Sequence, residues 1–316
     1  MNCAVCGAAA MHRIGEQFDD RYGYPGRFAV LGCPACRHIQ LAASMSAHQI
    51  ELLYTEYYPR SERGLDDWHP PDRASGLRAW WHGARASAFT WVPPTVRVLD
   101  VGCGFGESLG YHLSRGCDAY GVEADANILR IAERHGLKVK HGLFDPGHYE
   151  RSSFDVVTLD QVIEHLADPV SVLRGIREVL KPGGQLILST PNPDGWGVRL
   201  FGNRWIHWHA PYHLQFFSKL SLERAAAKAG LLVERRQTIT QSSWLDFQLC
   251  HLATYPLEGQ PSGFWSSRRP RTMAQRVALR LARLPQQLGV IGLLTRLMDA
   301  LQFGDNSVYI LRRPTS

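Results

Sequence analysis

From about position 97 onward, short apolar runs alternate with longer segments of helical periodicity. Val98-Leu-Asp-Val101 reads as a buried strand carrying one aspartate, and Ala119-Tyr-Gly-Val-Glu123 as a second strand ending in an acid. Similar runs at 153–160, 185–191, 231–239 and 307–312 predict further strands. Residues 107–115 are compatible with a helix, 219–230 fit an amphipathic helix, and 74–91 a lead-in helix stopped by Pro93 and Pro94. Lys181-Pro-Gly-Gly184 predicts a helix stop, since proline cannot continue a helix and glycine supplies a left-handed cap. Strand and helix in alternation predict an α/β chain with a doubly wound, Rossmann-like sheet.

The alternation breaks once. About sixty residues, 241–305, separate the last two predicted strands, too many for an idle loop. Within 271–284, Met273, Val277, Leu281 and Leu284 share one helical face, while Arg276, Arg280 and Arg283 share another. Pro285 ends this helix, and 288–301 reads as a second, mostly apolar one. From position 260 to the end, nine arginines stand against two aspartates, whereas the whole chain carries only +6. A basic amphipathic helix suits an anionic membrane surface or an anionic substrate. The expectation is peripheral membrane contact through 268–301, or else a helical hairpin packed on its own core with a solvated arginine face.

Composition sets the class. The 316 residues, 45% hydrophobic and 20% charged, allow one large domain and a small one with ample core. No run of eighteen apolar residues occurs, and the start Met1-Asn-Cys-Ala-Val-Cys6 lacks the basic and apolar parts of a signal peptide. These features predict a cytoplasmic enzyme, at most peripheral at the inner membrane face.

The first candidate chemistry lies in Val98-Leu-Asp-Val-Gly-Cys-Gly-Phe-Gly106. Glycines at a strand-to-helix turn let a ligand approach the backbone, and an acid ending the next strand can accept both hydroxyls of a ribose. Asp100, two residues before Gly102, would repel a pyrophosphate but favour a cationic amino acid. With these residues in place, the chain resembles the class I S-adenosylmethionine (SAM) dependent methyltransferases. Ser153-Phe-Asp-Val-Val-Thr-Leu-Asp160, Lys181-Pro-Gly-Gly184 and Gln185-Leu-Ile-Leu-Ser-Thr-Pro191 follow in that family's order. The resemblance covers roughly 90–240 and implies a seven-stranded Rossmann-like methyltransferase sheet. It also implies SAM contacts from Asp100, Gly102, Cys103, Gly104, Gly106, Glu123, Ala124, Asp160 and Gln161.

Cys3-Ala-Val-Cys6 and Cys33-Pro-Ala-Cys36 form two C-x-x-C knuckles with 26 residues between them. Four thiolates at this spacing suit one structural Zn2+, with disulfide or redox roles as alternatives. Few basic residues flank the knuckles, so a nucleic-acid role is not expected of this module. The chain is expected to divide into a zinc ribbon at 1–45, an aromatic linker and lead-in helix at 46–95, and the SAM-binding domain at 96–316. Residues 60–75 read as a surface linker. Tyr54, Tyr57 and Tyr58 either pack the ribbon on the larger domain or close over SAM or the acceptor. Ribbon, aromatic link and methyltransferase core in this order resemble zinc-containing sugar methyltransferases and those of bacterial surface-glycan pathways.

A sulfonium methyl is already activated, so an acceptor needs positioning and often a base. His213, then His209, in His207-Trp-His-Ala-Pro-Tyr-His213, and His165 are the candidates, each with a structural hydrogen-bonding role as its alternative. The region also resembles ubiquinone-pathway O-methyltransferases and plant small-RNA 2′-O-methyltransferases, whose E-x-x-E-H motif implies a divalent ion. Here Gln161 replaces the first acid of Gln161-Val-Ile-Glu-His165, which weakens such a site. The expected activity is SAM-dependent methyl transfer to a small-molecule or glycan-type acceptor, on oxygen first. An RNA or protein methyltransferase gripping its substrate through the arginine-rich insertion, and a non-catalytic SAM-binding partner protein, are the alternatives.

Overall fold

The computed structural model describes residues 1–42, 45–58, 68–71, 76–266 and 270–315. Eleven strands occur among them: β1 (His12–Phe18), β2 (Arg27–Gly32), β3 (Ile39–Leu41), β4 (Arg97–Val101), β5 (Asp118–Glu123), β6 (Lys138–His141), β7 (Phe154–Asp160), β8 (Leu180–Pro191), β9 (Gln215–Phe216), β10 (Leu232–Thr238) and β11 (Asn306–Arg312). Seven of them form one sheet in the order β10-β11-β8-β7-β4-β5-β6. The pairs β4·β5, β4·β7, β5·β6 and β7·β8 are parallel, and β11 runs antiparallel between β8 and β10. The predicted Rossmann-like sheet is thus present. Its least legible member is β6, an edge strand whose Lys-Val-Lys-His sequence has only one apolar residue.

Strand residues alternate between two apolar layers. Leu99, Val122, Val157, Leu159, Leu186 and Leu188 pack on one face of the sheet; Val98, Ala119, Val156, Ile187 and Val308 pack on the other. The helix Pro169–Val179 covers the first face, capped by Asp168, whose carboxylate accepts from Ser171 N–H at 3.0 Å. This helix ends at Val179 and β8 begins at Leu180. Lys181 to Gly184 therefore enter the strand, with Gly183 at φ 78° and a register shift against β7, instead of forming a capping turn.

The lead-in segment also departs from the single helix expected at 74–91. A helix spans Gly76–His82, Gly83 at φ 69° ends it, and two 3-10 turns follow at Ala84–Ala86 and Ala88–Trp91. A Cβ at Gly83 would lie 2.2 Å from the Thr240 carbonyl oxygen, so the chain passes there too closely for a regular helix. Most of the expected surface linker, 60–67 and 72–75, lies outside the described residues. Trp68 is described and is half-buried: its indole N–H donates to the Phe105 carbonyl at 2.9 Å, and its ring stacks on His135.

The N-terminal module forms a second sheet, β1-β2-β3-β9. Its last strand comes from the segment after β8, paired antiparallel with β3 at Ile39↔Phe216 and Gln40↔Gln215. His38 Nε2 lies 2.8 Å from Gln215 Oε1, and Gln215 Nε2 donates to the Leu166 carbonyl at 3.1 Å. Val5, Cys33 and Cys36 share one apolar cluster with Phe217 and Leu222 of the larger sheet's flank. The insertion before β11 is helical, with Ser242–Ala253, Met273–Ala282, Leu284–Gln287 and Val290–Ala300. Among the described residues no helix is long and apolar enough to cross a membrane.

Candidate functional site

The loop after β4 is built on three glycines of positive φ, 76° at Gly102, 56° at Gly104 and 77° at Gly106, a region that disfavours side chains. A Cβ on Gly102 would sit 2.6 Å from Val162 Cγ2, and one on Gly106 2.7 Å from Leu137 Cδ1, whereas Gly104 faces open space. Gly104 is therefore where a ligand can reach the backbone. Its N–H donates to Glu123 Oε2 at 2.8 Å, and Glu123 Oε1 accepts from Asp125 N–H at 3.0 Å. The neighbouring Ala124 is exposed, its carbonyl 3.0 Å from His141 Nε2. Cys103 turns its side chain into the core beside Gly121, leaving its backbone to the loop.

Asp100 is buried beneath this loop and accepts from Thr158 Oγ1 at 2.7 Å and from the Ser108 hydroxyl. Burial, with Asp160 and Glu123 adding negative charge nearby, pushes its carboxyl up to about 7. Asp160 and Gln161 turn toward the scaffold. Asp160 Oδ1 accepts from Ala88 N–H at 2.9 Å and from the Ser189 hydroxyl, and burial raises its carboxyl. Gln161 Nε2 donates to Ser189 Oγ and to Asn306 Oδ1, each at 2.9 Å. Together they fasten the 3-10 turns of the lead-in segment over the ends of β7, β8 and β11.

The three candidate histidines come together. His213 Nδ1 lies 2.8 Å from the His207 carbonyl oxygen, and His165 Nδ1 lies 2.9 Å from that of Tyr212. A carbonyl only accepts, so both rings carry their proton on Nδ1, and Nε2 is the basic atom of each. The two rings meet edge-on at 4.7 Å, and His209 lies 4.9 Å from His213. Burial holds His209 and His213 well below the ordinary imidazole value, and neighbouring histidines and Arg21 add to the effect. Glu164 is fully buried beside them. One of its oxygens accepts from Thr190 Oγ1 at 3.1 Å, and the other has no hydrogen-bond partner among the described residues. Burial pushes this carboxyl up to about 8. Donor atoms of Glu164, His165 and His213 lie within 4.8 Å of one another. Val162, packed against Gly102, links this group directly to the glycine loop.

Aromatic rings wall the cluster. Tyr212 stacks on His209 at 4.7 Å, and Tyr58 and Tyr54 approach Tyr212 at 5.2 and 5.7 Å. Tyr22, from the turn between β1 and β2, meets Tyr58, Tyr212 and His209 edge-on at 5.4 to 5.9 Å. Tyr57 packs instead on Tyr24. The aromatic link thus joins the N-terminal module to the histidine cluster and also borders it. Tyr22, Arg21 and Trp68 escaped the sequence reading. The only signal for the first two is a charged, aromatic turn, Asp19-Asp-Arg-Tyr-Gly-Tyr24. Arg21 bonds the Ile206 carbonyl and lies over the Trp265 ring at 4.1 Å.

The four knuckle cysteines also converge, with Cys3 Sγ 3.5 Å from Cys36 Sγ and Cys6 Sγ 3.5 Å from Cys33 Sγ. All four sulfurs lie within 4.8 Å of one another and none is in a disulfide. Burial raises Cys3 and Cys36, while at Cys6 hydrogen bonds outweigh burial and lower the thiol to about 7. A separate cavity of about 660 Å³ lies between Trp80, Arg85, Trp91 and Arg235 and includes neither the glycine loop nor the histidine cluster.

Residues 60–235 match the methyltransferase domain family. The ubiquinone biosynthesis O-methyltransferase of Aeromonas salmonicida is 31% identical over 155 residues, 43% of this chain and 63% of that protein. The protein of the same name from Cereibacter sphaeroides is 34% identical over 149 residues, 43% of this chain and 60% of that one. The chain thus spans about three-fifths of the length of these relatives. Among solved structures, the [4+2]-cyclase SpnF aligns at a TM-score of 0.50 and 18% identity, covering 87% of this chain and 98% of its own, a likeness of fold. Across residues 60–235, more than half of its length, this chain therefore belongs to the class I SAM-dependent methyltransferase family.

Proposed function

We propose that this enzyme transfers the methyl group of SAM to a hydroxyl of a small acceptor seated at the histidine cluster. The observation that carries the reading is the pinning of His213 through Nδ1 to the His207 carbonyl, which makes Nε2 the basic atom of its ring. Burial keeps the His213 ring neutral, the form that can accept a proton. When bound, SAM supplies a methyl group on a sulfonium that needs little further activation. Glu123 is placed to take the ribose hydroxyls, Gly104 to let the cofactor close on the backbone, and Asp100 to supply negative charge near its amino group. His213 Nε2 takes the acceptor proton as the oxygen forms its bond to the methyl carbon. The carbon–sulfur bond breaks and its electron pair stays on sulfur. Tyr22, Tyr58 and Tyr212 exclude water and favour an acceptor with a flat or apolar face. The names of the relatives support oxygen as the methylated atom.

A second reading rests on the Glu164 oxygen that has no hydrogen-bond partner among the described residues. With the Nε2 atoms of His165 and His213 it completes a donor set suited to a divalent cation, which would hold the acceptor oxygen and lower its pKa. Gln161 adds no charge to such a set, because its amide is neutral, and that amide is fastened to Ser189 and Asn306. In the N-terminal module, the crowding of four cysteine sulfurs without a disulfide supports a structural Zn2+. The exposed face of the insertion is largely aliphatic, which does not favour an RNA or protein substrate held there. A glycan-type acceptor remains within the hydroxyl class.

The test is methyl transfer from labelled SAM into phenolic, alcoholic and sugar acceptors. His213→Ala should keep SAM affinity within a few-fold and lower kcat by about 100-fold or more. Full turnover in that variant would remove His213 from the chemistry. Loss of activity in a mild chelator that spares the cysteine-bound metal, restored by added divalent ion, would favour the cation over the base.

A further inference from the structure

The helical insertion does not bury the apolar stripe that its sequence predicts. Met273, Val277, Leu281 and Leu284 point outward, 73%, 51%, 61% and 44% exposed, and the helix Met273–Ala282 is held to the fold through Leu279. The helix Val290–Ala300 repeats this arrangement. Ile291, Gly292, Thr295 and Arg296 face inward, while Val290, Leu293, Leu294 and Leu297 are exposed. Leu301 continues the outward row at 65% exposed. Gly292 packs against Trp81, and the helix Gly76–His82 adds exposed Leu77 and Trp80. Aliphatic surface on this scale, gathered on adjacent helices, marks an interaction site.

Charge says what covers it. From 259 to 298 the sequence has no aspartate or glutamate and seven arginines. Arg276, Arg280 and Arg283 are all exposed. At 100° per residue they fall between the inward edge marked by Leu279 and the outward aliphatic stripe. Guanidinium groups beside a stripe of leucines reach phosphates at the level where the leucines enter hydrocarbon. An exposed tryptophan is the side chain expected at that level. A second copy fits poorly, because a two-fold contact would set the same arginines against one another.

We propose that the outward face of the 270–301 insertion, with Leu77 and Trp80, docks this enzyme on the surface of an anionic lipid bilayer. Docking is in plane, since no described helix is long enough to span. The helices insert their leucines, and the arginines make attachment depend on lipid charge and on salt.

The experiment is co-sedimentation of the full chain with phosphatidylglycerol–phosphatidylcholine vesicles and with phosphatidylcholine alone, paired with sedimentation velocity without lipid. The wild type should bind the mixed vesicles at least about tenfold more tightly than the neutral ones and release in high salt. Leu281→Glu with Leu297→Glu should cut that binding by at least about tenfold without shifting Tm, since both side chains are exposed. Arg276→Gln with Arg280→Gln should weaken binding several-fold and flatten its salt dependence. No binding of the wild type to mixed vesicles would overturn the proposal, as would binding that both double variants leave unchanged. A lipid-indifferent dimer split by the leucine variants would overturn it in favour of a contact between copies.

Discussion

Gly102 couples the two candidate sites through one absent side chain. Its φ of 76° already disfavours any Cβ, and the atom would meet Val162 Cγ2 at 2.6 Å. Val162 sits between Gln161, fastened to β8 and β11, and Glu164, buried in the histidine cluster, so it has little freedom to retreat. Gly102→Ala should therefore shift the glycine loop and the Glu164 segment together, costing on the order of 1–3 kcal/mol. Calorimetry should show SAM affinity reduced roughly tenfold or more, and Val162→Ala in the same chain should restore part of it. Undiminished affinity in the single variant would mean that the loop does not carry the cofactor. Gly102, Asp100 and Glu123 were legible in the sequence because a strand, a glycine turn and a terminal acid leave a local pattern. Trp68 leaves none, and Tyr22 and Arg21 leave only a charged, aromatic turn. Each is a single residue whose partner, Phe105, Tyr212 or Ile206, is set by tertiary packing.

At the scale of elements, the N-terminal module is tied into the larger sheet's flank by the short strand β9. Two residues long, β9 has no periodicity to read, and its role is visible only through Ile39↔Phe216, Gln40↔Gln215 and the His38–Gln215 contact. The same segment carries His209 and His213 just before it and Phe217 just after. If the four cysteines hold a metal, removing it should disturb both ends of this segment. A structural zinc site contributes on the order of 10 kcal/mol to a small module. Because the module shares its core with Phe217 and Leu222, part of that should appear in the whole chain. Cys36→Ser, or a strong chelator, should release about one metal ion per chain. It should also lower Tm by on the order of 10 °C and reduce methyl transfer more than SAM binding. A chain that keeps its Tm and turnover after losing the metal would show that the module is an appendage. The insertion shows the complementary failure. Its helices, and the split between aliphatic and arginine faces, were legible, but periodicity cannot say which face turns inward. Leu279, Ile291 and Thr295 decide that by packing on the fold.

Across the whole molecule, charge is arranged so that the proposed cofactor site tends toward neutrality in the absence of a cation. Asp100, Asp160 and Glu123 gather beneath and beside the glycine loop, and burial lifts Asp100 from 3.8 to about 7. An acid whose folded value is raised holds its proton in the native state after the unfolded chain has released it. The stability it contributes is thus complete below about pH 4 and is lost as pH rises toward 7, by about 1.4 kcal/mol per pH unit at most. Cysteine thiolates on a metal would act in the opposite sense, since unfolding would return protons to them. The sign must therefore be read from a difference between two chains. Asp100→Asn keeps the shape and removes the titration. Its Tm relative to wild type should climb between pH 5 and pH 7 and level off above that. Saturating SAM should shrink the climb, because its positive charges favour the Asp100 carboxylate. Wild-type SAM affinity should correspondingly rise through the same interval, and that of Asp100→Asn should be weaker and nearly flat. Parallel Tm curves for the two chains would show that Asp100 stays ionised throughout. Its role would then be the fixed one of holding Ser108 and Thr158 beneath the glycine loop.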